Sequence, residues 1–486
     1  MSGGVHDAVK VPGVRRTEFL AGAVAASFIQ SSPARLSIVA APLGHDIDPY
    51  RDPERGVDEL AWLYADGLVG PDERPLLAAS PPEVRDGGRT YRYTLRDVAW
   101  HDGAALTARD VQAAFRELRG GIWGTHEPYR SVRDIVRLDD RRFDVRLHEK
   151  RAGFVRSFFG PSGVPALPLI RHAADGTPIG TGPFAIAGRP ESERWVLRRW
   201  DGSPRGKPLL AEIALRLIGF APTRAIQMRT EEAHMAIPLA PEAITGPYLT
   251  HRRLTSVATL LFNAASIFRS ARLRRLCATT VDVPALQKHY INRPGSAVFA
   301  SLLMNGPNDA AWERALTRRT RGAGDELHGA LGDALVRLSY VAGSPAHERT
   351  MLVVQQMLAS AGVASELRAK PMTNYLSNEG PLRAGDFDIG IVGYPNLDGS
   401  DLAADWSCNN IPPRGGNFAR WCDGETERAL HRGDTVAVLR RLYDEMAVLP
   451  LGIAEERIGV SLRLAGVAAP MPLVPFTYQC VDWHWA

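Results

Sequence analysis

Short alternations of apolar and polar residues mark strands in the first half of the chain. Along Tyr91–Arg96 every second residue is apolar, which is typical of a strand with one buried face. Leu36–Ala40 is a nearly continuous apolar run and predicts a short buried strand. Strand-like runs recur at Trp195–Arg199 and Ile213–Ile218. These four segments are predicted strands.

Helices alternate with the strands. Thr107 follows a turn at Asp102-Gly103 and can cap a helix, and Asp110 favours the positive end of that helix dipole. Apolar residues then follow at helical spacing, at Val111, Phe115 and Leu118. The second half continues with a predicted helix over Arg349–Ala361 and a predicted strand over Phe387–Val392. This alternation predicts α/β layers, and because no low-complexity linker separates the halves, we expect crossing strands to join them.

Composition excludes several classes of protein. With 486 residues the chain is too long for one simple domain, and with 45% hydrophobic and 23% charged residues it can bury large cores. The formal net charge is only +4, and arginines are interleaved with acids rather than clustered. We therefore expect no nucleic-acid partner. The sequence contains no run of 18 apolar residues, so no membrane-spanning helix is predicted.

The N-terminal segment is similar to a twin-arginine export signal. Arg15 and Arg16 precede the apolar stretch Phe19–Ile29, and Ser32–Ala34 offers a small-residue cleavage site. Glu18 departs from the usual pattern by adding a negative charge. A working signal predicts an extracytoplasmic protein that begins close to Arg35. The alternative is an eroded signal and a cytoplasmic protein.

Motifs for metal or nucleotide chemistry are absent from the sequence. The 13 histidines and four cysteines form no local zinc-ligand pattern, and neither a Walker loop nor GxGxxG occurs. We therefore expect no metal and no cofactor. Cys277 and Cys480 stand in apolar surroundings and are predicted to be buried thiols.

Four separate stretches carry a family resemblance. They run, in chain order, through Tyr93–Val111 with its His-Asp-Gly turn, Gly180–Phe184 with Trp200–Pro208, Phe262-Asn263 with Arg272–Arg274 and Pro294–Ala297, and Gly385–Asp388 with Asn417-Phe418. Together the chain resembles the extracellular solute-binding proteins of family 5, which serve oligopeptide, dipeptide and nickel ABC importers. Within these stretches, Gly180 and Gly182 are expected to allow a tight backbone path, and Arg272 and Arg274 to form ion pairs.

The resemblance implies an α/β, two-lobed, periplasmic-binding-protein-like fold of the class II type, with a hinge and a ligand cleft between the lobes. Residues 1–34 would be a degenerate signal or an N-terminal extension. Residues 35–255 would form the first lobe, to which 460–486 return, and residues 256–459 would form the second.

The resemblance also implies a ligand site just before the fourth stretch. In peptide binders of the family an acidic residue there receives the ligand's amine, and Asp398 or Asp401 matches it by position. Tyr394 stands where an aromatic residue is usual, and Trp406 can cover an apolar side chain. Alternatively, Asp398 only forms a turn with Gly399.

Two further positions follow from the resemblance. Cys408 and Cys422 frame a loop that is closed by a disulfide in some dipeptide-binding relatives, and such a bond forms only in an oxidising compartment. No arginine matches the position that holds the ligand carboxylate in dipeptide binders. Arg349 is the nearest candidate.

The predicted function is that of a monomeric solute-binding protein that traps a peptide or amino-acid-like amine and delivers it to an ABC permease. The alternative is a cytoplasmic biosynthetic enzyme on the same scaffold, such as a Pictet–Spengler-type enzyme that condenses a tryptophan-like amine with an aldehyde. No catalytic residue is assigned for that alternative. The first 34 residues are the feature that separates the two.

Overall fold

The computed structural model describes most of the chain beyond residue 34. The described ranges are 35–41, 47–51, 55–72, 74–121, 129–150, 154–155, 168–188, 194–239, 245–291, 300–305, 313–314, 316, 322–377, 379–395, 399, 402–470, 472 and 474–486. The predicted signal over residues 1–34 lies outside them. The described residues belong to one compact unit, Ala34–Ala486.

The strands of the described residues are short, apart from β14 and β18. They are β1 (Arg35–Ala40), β2 (Asp66–Gly67), β3 (Glu83–Arg85), β4 (Thr90–Thr94), β5 (Val132–Arg137), β6 (Arg142–Leu147), β7 (Pro168–Leu169), β8 (Arg171–His172), β9 (Pro178–Ile179), β10 (Phe184–Ile186), β11 (Arg194–Arg199), β12 (Glu212–Leu217), β13 (Met235–Ile237), β14 (Tyr248–Phe262), β15 (Val336–Val341), β16 (Ser365–Lys370), β17 (Ile389–Tyr394), β18 (Val448–Ser461), β19 (Leu464–Ala465) and β20 (His484–Trp485).

The α-helices of the same residues alternate with these strands. They are α1 (Arg55–Ala61), α2 (Ala108–Gly120), α3 (Ala221–Arg229), α4 (Ala271–Thr280), α5 (Val283–Ile291), α6 (Ala323–Leu331), α7 (Pro345–Ser360), α8 (Met372–Tyr375), α9 (Pro381–Ala384), α10 (Leu402–Trp406), α11 (Gly424–Arg432) and α12 (Thr435–Asp444). Among the residues described, no helix has the length and apolar character needed to cross a membrane.

The predicted elements are present, with small shifts at their ends. Thr107 is the N-cap residue of α2, as expected, and Asp110 completes a capping box because its Oδ2 accepts from the backbone N–H of Thr107 at 2.7 Å. The helix predicted from Arg349 begins earlier, at Pro345 with Ser344 as the preceding cap residue. Proline is common at the first position of a helix, and the prediction, which relied on apolar spacing, did not use this signal.

One large mixed sheet organises the chain. Its strand order is β10-β11-β12-β1-β13-β18-β14-β17-β15-β16. β1 runs parallel to β12 and β13, and β15 runs parallel to β16 and β17. Parallel strands need a crossover connection between them. Helix α3 lies between β12 and β13 in the chain, and helix α7 lies between β15 and β16. The α/β class predicted from the sequence is confirmed.

Two large hydrophobic cores lie on this sheet within the described residues. The first contains residues between Leu36 and Ile237 and again between Ile458 and Trp483. The second contains residues between Val257 and Leu451. Strands β14 and β18 pair antiparallel along most of their length; β18 contributes residues to both cores, and β14 contributes residues to the second. They are the crossing strands that the sequence predicted. The lobe bounds at residues 255 and 459 stay a prediction.

Close backbone packing explains the motif at Gly180 and Gly182. A Cβ on Gly180 would lie 2.0 Å from the carbonyl oxygen of Tyr64, and one on Gly182 would lie 2.6 Å from its carbonyl carbon. The Gly182 N–H donates to that same oxygen at 2.9 Å. A larger residue at either position would push this segment away from the backbone of Tyr64. The two glycines are therefore explained by packing of the fold.

A buried ion cluster joins the crossing strands to the first core. Arg253 on β14 is almost fully buried; its Nη1 lies 2.5 Å from Glu59 Oε2 of α1, and its Nη2 contacts Glu456 of β18. Glu59 also accepts from the backbone N–H of Thr477 at 2.9 Å. Burial disfavours the charged form, but the two carboxylates outweigh it and hold the pKa of Arg253 above its ordinary value.

We predict that Arg253→Met destabilises the protein by about 3–5 kcal/mol, because it leaves the buried carboxylate of Glu59 and the partly buried carboxylate of Glu456 without this counter-charge. The matched control is Arg252→Met. Arg252 is the next residue, is half-exposed and pairs with Glu455, so its loss should change stability by at most about 1 kcal/mol. Urea unfolding at neutral pH measures both. Equal effects of the two substitutions would contradict the prediction.

Candidate functional site

The segment after strand β17 brings two of the predicted ligand residues together. Tyr394 is the last residue of β17 and lies opposite Val257 on the crossing strand β14. Trp406 is the last residue of α10. The centroids of the two rings lie 4.9 Å apart, with 45° between the ring planes. The pair packs into the second core.

The two predicted amine-binding acids, Asp398 and Asp401, lie outside the described residues and stay predictions. Gly399 between them is described and has a φ of +82°, which glycine adopts readily. A Cβ there would lie 2.5 Å from Cγ2 of Thr435, the first residue of α12. The left-handed backbone is compatible with the alternative that Asp398 forms a turn with Gly399.

The polar atoms of the aromatic pair have no hydrogen-bond partner among the described residues. Tyr394 and Trp406 are 2% and 1% exposed, and neither Oη of Tyr394 nor Nε1 of Trp406 has a hydrogen-bond partner in the described structure. Leaving a buried donor without an acceptor costs about 1–3 kcal/mol, and most such groups in folded proteins are paired. Other buried ring atoms of the described residues, among them Nε1 of Trp100 and Trp195, also lack a partner, so the assignment of Tyr394 and Trp406 to a ligand site stays a prediction.

Asp405 is a further acidic residue at this position that the sequence reasoning missed. It is half-buried and precedes Trp406 in α10. Burial raises the pKa of the Tyr394 phenol far above its ordinary value, and the charge of Asp405 raises it further. Tyr394 is therefore a neutral phenol at physiological pH. The signal available in the sequence was the adjacency of Asp405 to a candidate aromatic residue.

The loop after α10 is closed by the Cys408–Cys422 disulfide, with Cα atoms 4.9 Å apart. This is the pairing that the family resemblance implies. Inside the loop, Nδ2 of Asn417 donates to the carbonyl oxygens of Trp421 at 2.8 Å and Ser407 at 3.2 Å. The bond and the buried amide together fix the backbone on either side of the loop, next to Trp406.

Arg130 connects this loop to the part of the chain that builds the first core. It follows Tyr129, a fully buried member of that core. Its Nη1 donates to the carbonyl oxygens of Asn409 at 3.1 Å and Arg414 at 3.0 Å, and its Nη2 donates to Oδ1 of Asn410 at 2.8 Å. The side chain of Arg130 therefore links a segment of the first core to the disulfide loop. Sequence reasoning did not identify Arg130.

Other predicted positions have structural roles. Arg272 pairs with Glu326 and Arg274 with Glu445, each at 3.3 Å, as expected of ion pairs. Arg349 is exposed on α7, and its role as a carboxylate site stays a prediction. Cys277 and Cys480 are buried thiols, and burial raises the pKa of each to about 12. Within the described ranges, no cluster of three His, Cys, Asp or Glu residues could hold a metal ion.

Comparison with known proteins decides the family. The model of the bacterial extracellular solute-binding proteins, family 5 (middle), matches residues 73–404. The chain belongs to this family. The family 5 resemblance stated from the motifs is therefore confirmed over most of the chain.

Two relatives of known name illustrate the similarity. The peptide transport periplasmic protein SapA of Salmonella typhimurium is 27% identical over 432 residues, which are 77% of this chain and 76% of SapA. Protein XP55 of Streptomyces lividans is 26% identical over 275 residues, 52% of this chain. That match spans about half of XP55, 49% of its length.

Solved structures confirm the two-lobed periplasmic-binding-protein fold. The binding protein AgaA from A. tumefaciens R10, in complex with agropinic acid, superposes with a TM-score of 0.79 at 18% identity, over 93% of this chain and 99% of AgaA. At this identity the likeness shows the fold alone. The comparisons give no support to the alternative of a Pictet–Spengler-type enzyme.

We predict that replacing both Cys408 and Cys422 by serine lowers the free energy of unfolding by about 3 kcal/mol, because the bond closes a loop with a sequence separation of 14. A thiol reductant should have the same effect on the parent protein. Because Cys277 and Cys480 are already thiols, the reductant should leave the double variant unchanged. Chemical unfolding with and without reductant measures this, and a parent insensitive to reductant would contradict it.

Proposed function

We propose that the chain is the solute-binding protein of an ABC importer and takes a ligand with a free amine, a peptide or an amino-acid-like compound, between its lobes. Its family and the name of its relative SapA, a peptide transport protein, support this. The partner is an ABC permease, and the binding protein acts as a monomer. A ligand enclosed between lobes is removed from water, so each charged contact with it becomes stronger.

The observation that carries the proposal is the pair of buried, unpartnered donors on Tyr394 and Trp406. A ligand acceptor satisfies these donors, and the two rings cover an apolar side chain. The segment between them contains Asp398 and Asp401, and Asp405 adds a further negative charge beside Tyr394. Carboxylates of this kind pair with an ammonium group through charge-assisted hydrogen bonds.

The protein works outside the cytoplasm. The twin-arginine-like segment at residues 1–34 supports export. The Cys408–Cys422 disulfide gives independent support, because such bonds persist in oxidising compartments. SapA is likewise named a periplasmic protein.

We predict that Asp398→Asn or Asp401→Asn weakens binding of an amine ligand about 10- to 150-fold, the equivalent of about 1.5–3 kcal/mol for one lost charge-assisted hydrogen bond. A thermal-shift screen of dipeptides, amino acids and tryptophan derivatives first finds the ligand, and calorimetry then compares the variants. The control is Glu379→Gln, an exposed acid in another loop. If both aspartate variants bind like the parent, other residues hold the amine.

We also predict that Tyr394→Phe weakens ligand binding without lowering stability. The hydroxyl has no partner in the described structure, so its removal breaks no hydrogen bond within the protein, whereas it removes one from the complex. Calorimetry and urea unfolding of the same variant separate the two effects. A variant that unfolds more easily and binds normally would assign Tyr394 to packing alone.

A further inference from the structure

A cavity of about 360 Å³ lies beside the disulfide, away from the aromatic pair. Its walls come from the loop after β14, the start of α4, residues 420–423 and helix α12. Neither Tyr394 nor Trp406 lines it. Its charged lining residues are Arg269, Arg274, Arg420, Arg441, Asp423 and Glu445.

The two acids of the cavity are already shared by two of the arginines. Arg441 lies 3.1 Å from Asp423 and 3.6 Å from Glu445. Arg274 lies 3.3 Å from the same Glu445, and its Nη1 donates to the carbonyl oxygen of Phe268 at 2.9 Å. Both lining carboxylates are therefore paired with Arg274 or Arg441, and neither pairs with Arg269 or Arg420.

Arg269 and Arg420 supply the positive charge that is left over. Arg269 is exposed and has no ion pair among the described residues. Arg420 is half-buried; its Nη2 donates to the carbonyl oxygen of Arg383, its Nε lies against Gly385, and it has no carboxylate partner among the described residues. Partial burial of a guanidinium that has no carboxylate partner is costly, so an anion in the cavity stabilises it.

The start of helix α4 adds to this positive field. Ala271, its first residue, lines the cavity, and the helix is ten residues long. Helix N-termini favour negative charge through their free N–H groups and dipole. The lining contains four arginines and two acids, and Arg441 also pairs with Glu425 at 3.4 Å outside the lining, so a net positive charge is left for an anionic ligand.

We propose that this cavity binds a phosphoryl group, either free phosphate or a phosphomonoester, or the headgroup of an anionic phospholipid. Arginine guanidinium groups match phosphate oxygens with paired hydrogen bonds. The site is separate from the amine site and goes beyond the proposed transport function. The disulfide at Cys422 holds the segment that presents Arg420 to the cavity.

The test is calorimetry of the full chain with inorganic phosphate, against sodium chloride at the same ionic strength. We expect phosphate to bind, and Arg269→Gln and Arg420→Gln each to weaken it about 10-fold or more. Arg272→Gln is the matched control, because Arg272 lies on α4, is exposed and pairs with Glu326 outside the cavity. Arg269→Gln keeps the test valid if the Arg420 variant does not fold, since Arg269 is exposed.

Two further arms distinguish the sources. Co-sedimentation with phosphatidic acid vesicles that is lost in Arg269→Gln assigns a lipid headgroup, whereas phosphate binding without co-sedimentation assigns a soluble ligand. Absence of phosphate binding beyond chloride, or equal weakening by Arg272→Gln and Arg269→Gln, would overturn the proposal. Binding of an amine ligand should be unaffected by Arg269→Gln, so failure here leaves the proposed function untouched.

Discussion

Arg253 lies on the long strand β14 beside helix α1 of the first core, and its charge must be neutralised there. A guanidinium does not lose its proton in a protein, so only the geometry of Glu59 and Glu456 can balance it. This fixes helix α1 of the first core relative to β14 and β18, whose further residues pack into the second core. Because β17 pairs with β14, the position of Tyr394 depends on the same arrangement.

The local elements were predictable because their apolar spacing is strongly periodic. Val111, Phe115 and Leu118 all lie buried on one face of α2, as their spacing indicated. The length and pairing of β14 and β18 were not, since the register between residues some two hundred positions apart depends on packing rather than on any local pattern. The buried Arg253 is likewise unexpected from sequence, because arginine is rarely fully buried without paired acids.

The candidate site was predictable only as far as the family resemblance extended. The resemblance placed Tyr394 and Trp406 in one region, and the structure shows that their rings pack together. Asp405 was missed because an acid inside a short helix is usually a solvated residue. Arg130 was missed because its contact with Asn410 joins residues 280 positions apart and leaves no trace in local spacing.

The contacts of Arg130 have a consequence for how this protein can evolve. Two of its three acceptors in the disulfide loop are main-chain carbonyl oxygens, which every amino acid carries. The arginine therefore recognises the path of the loop rather than the identity of its side chains. As long as the loop keeps that path, the exposed side chains of Asn409 and Arg414 can change between homologues while the contact with Arg130 persists. The side chains of the loop can thus vary in sequence while the contact of Arg130 with its backbone is kept.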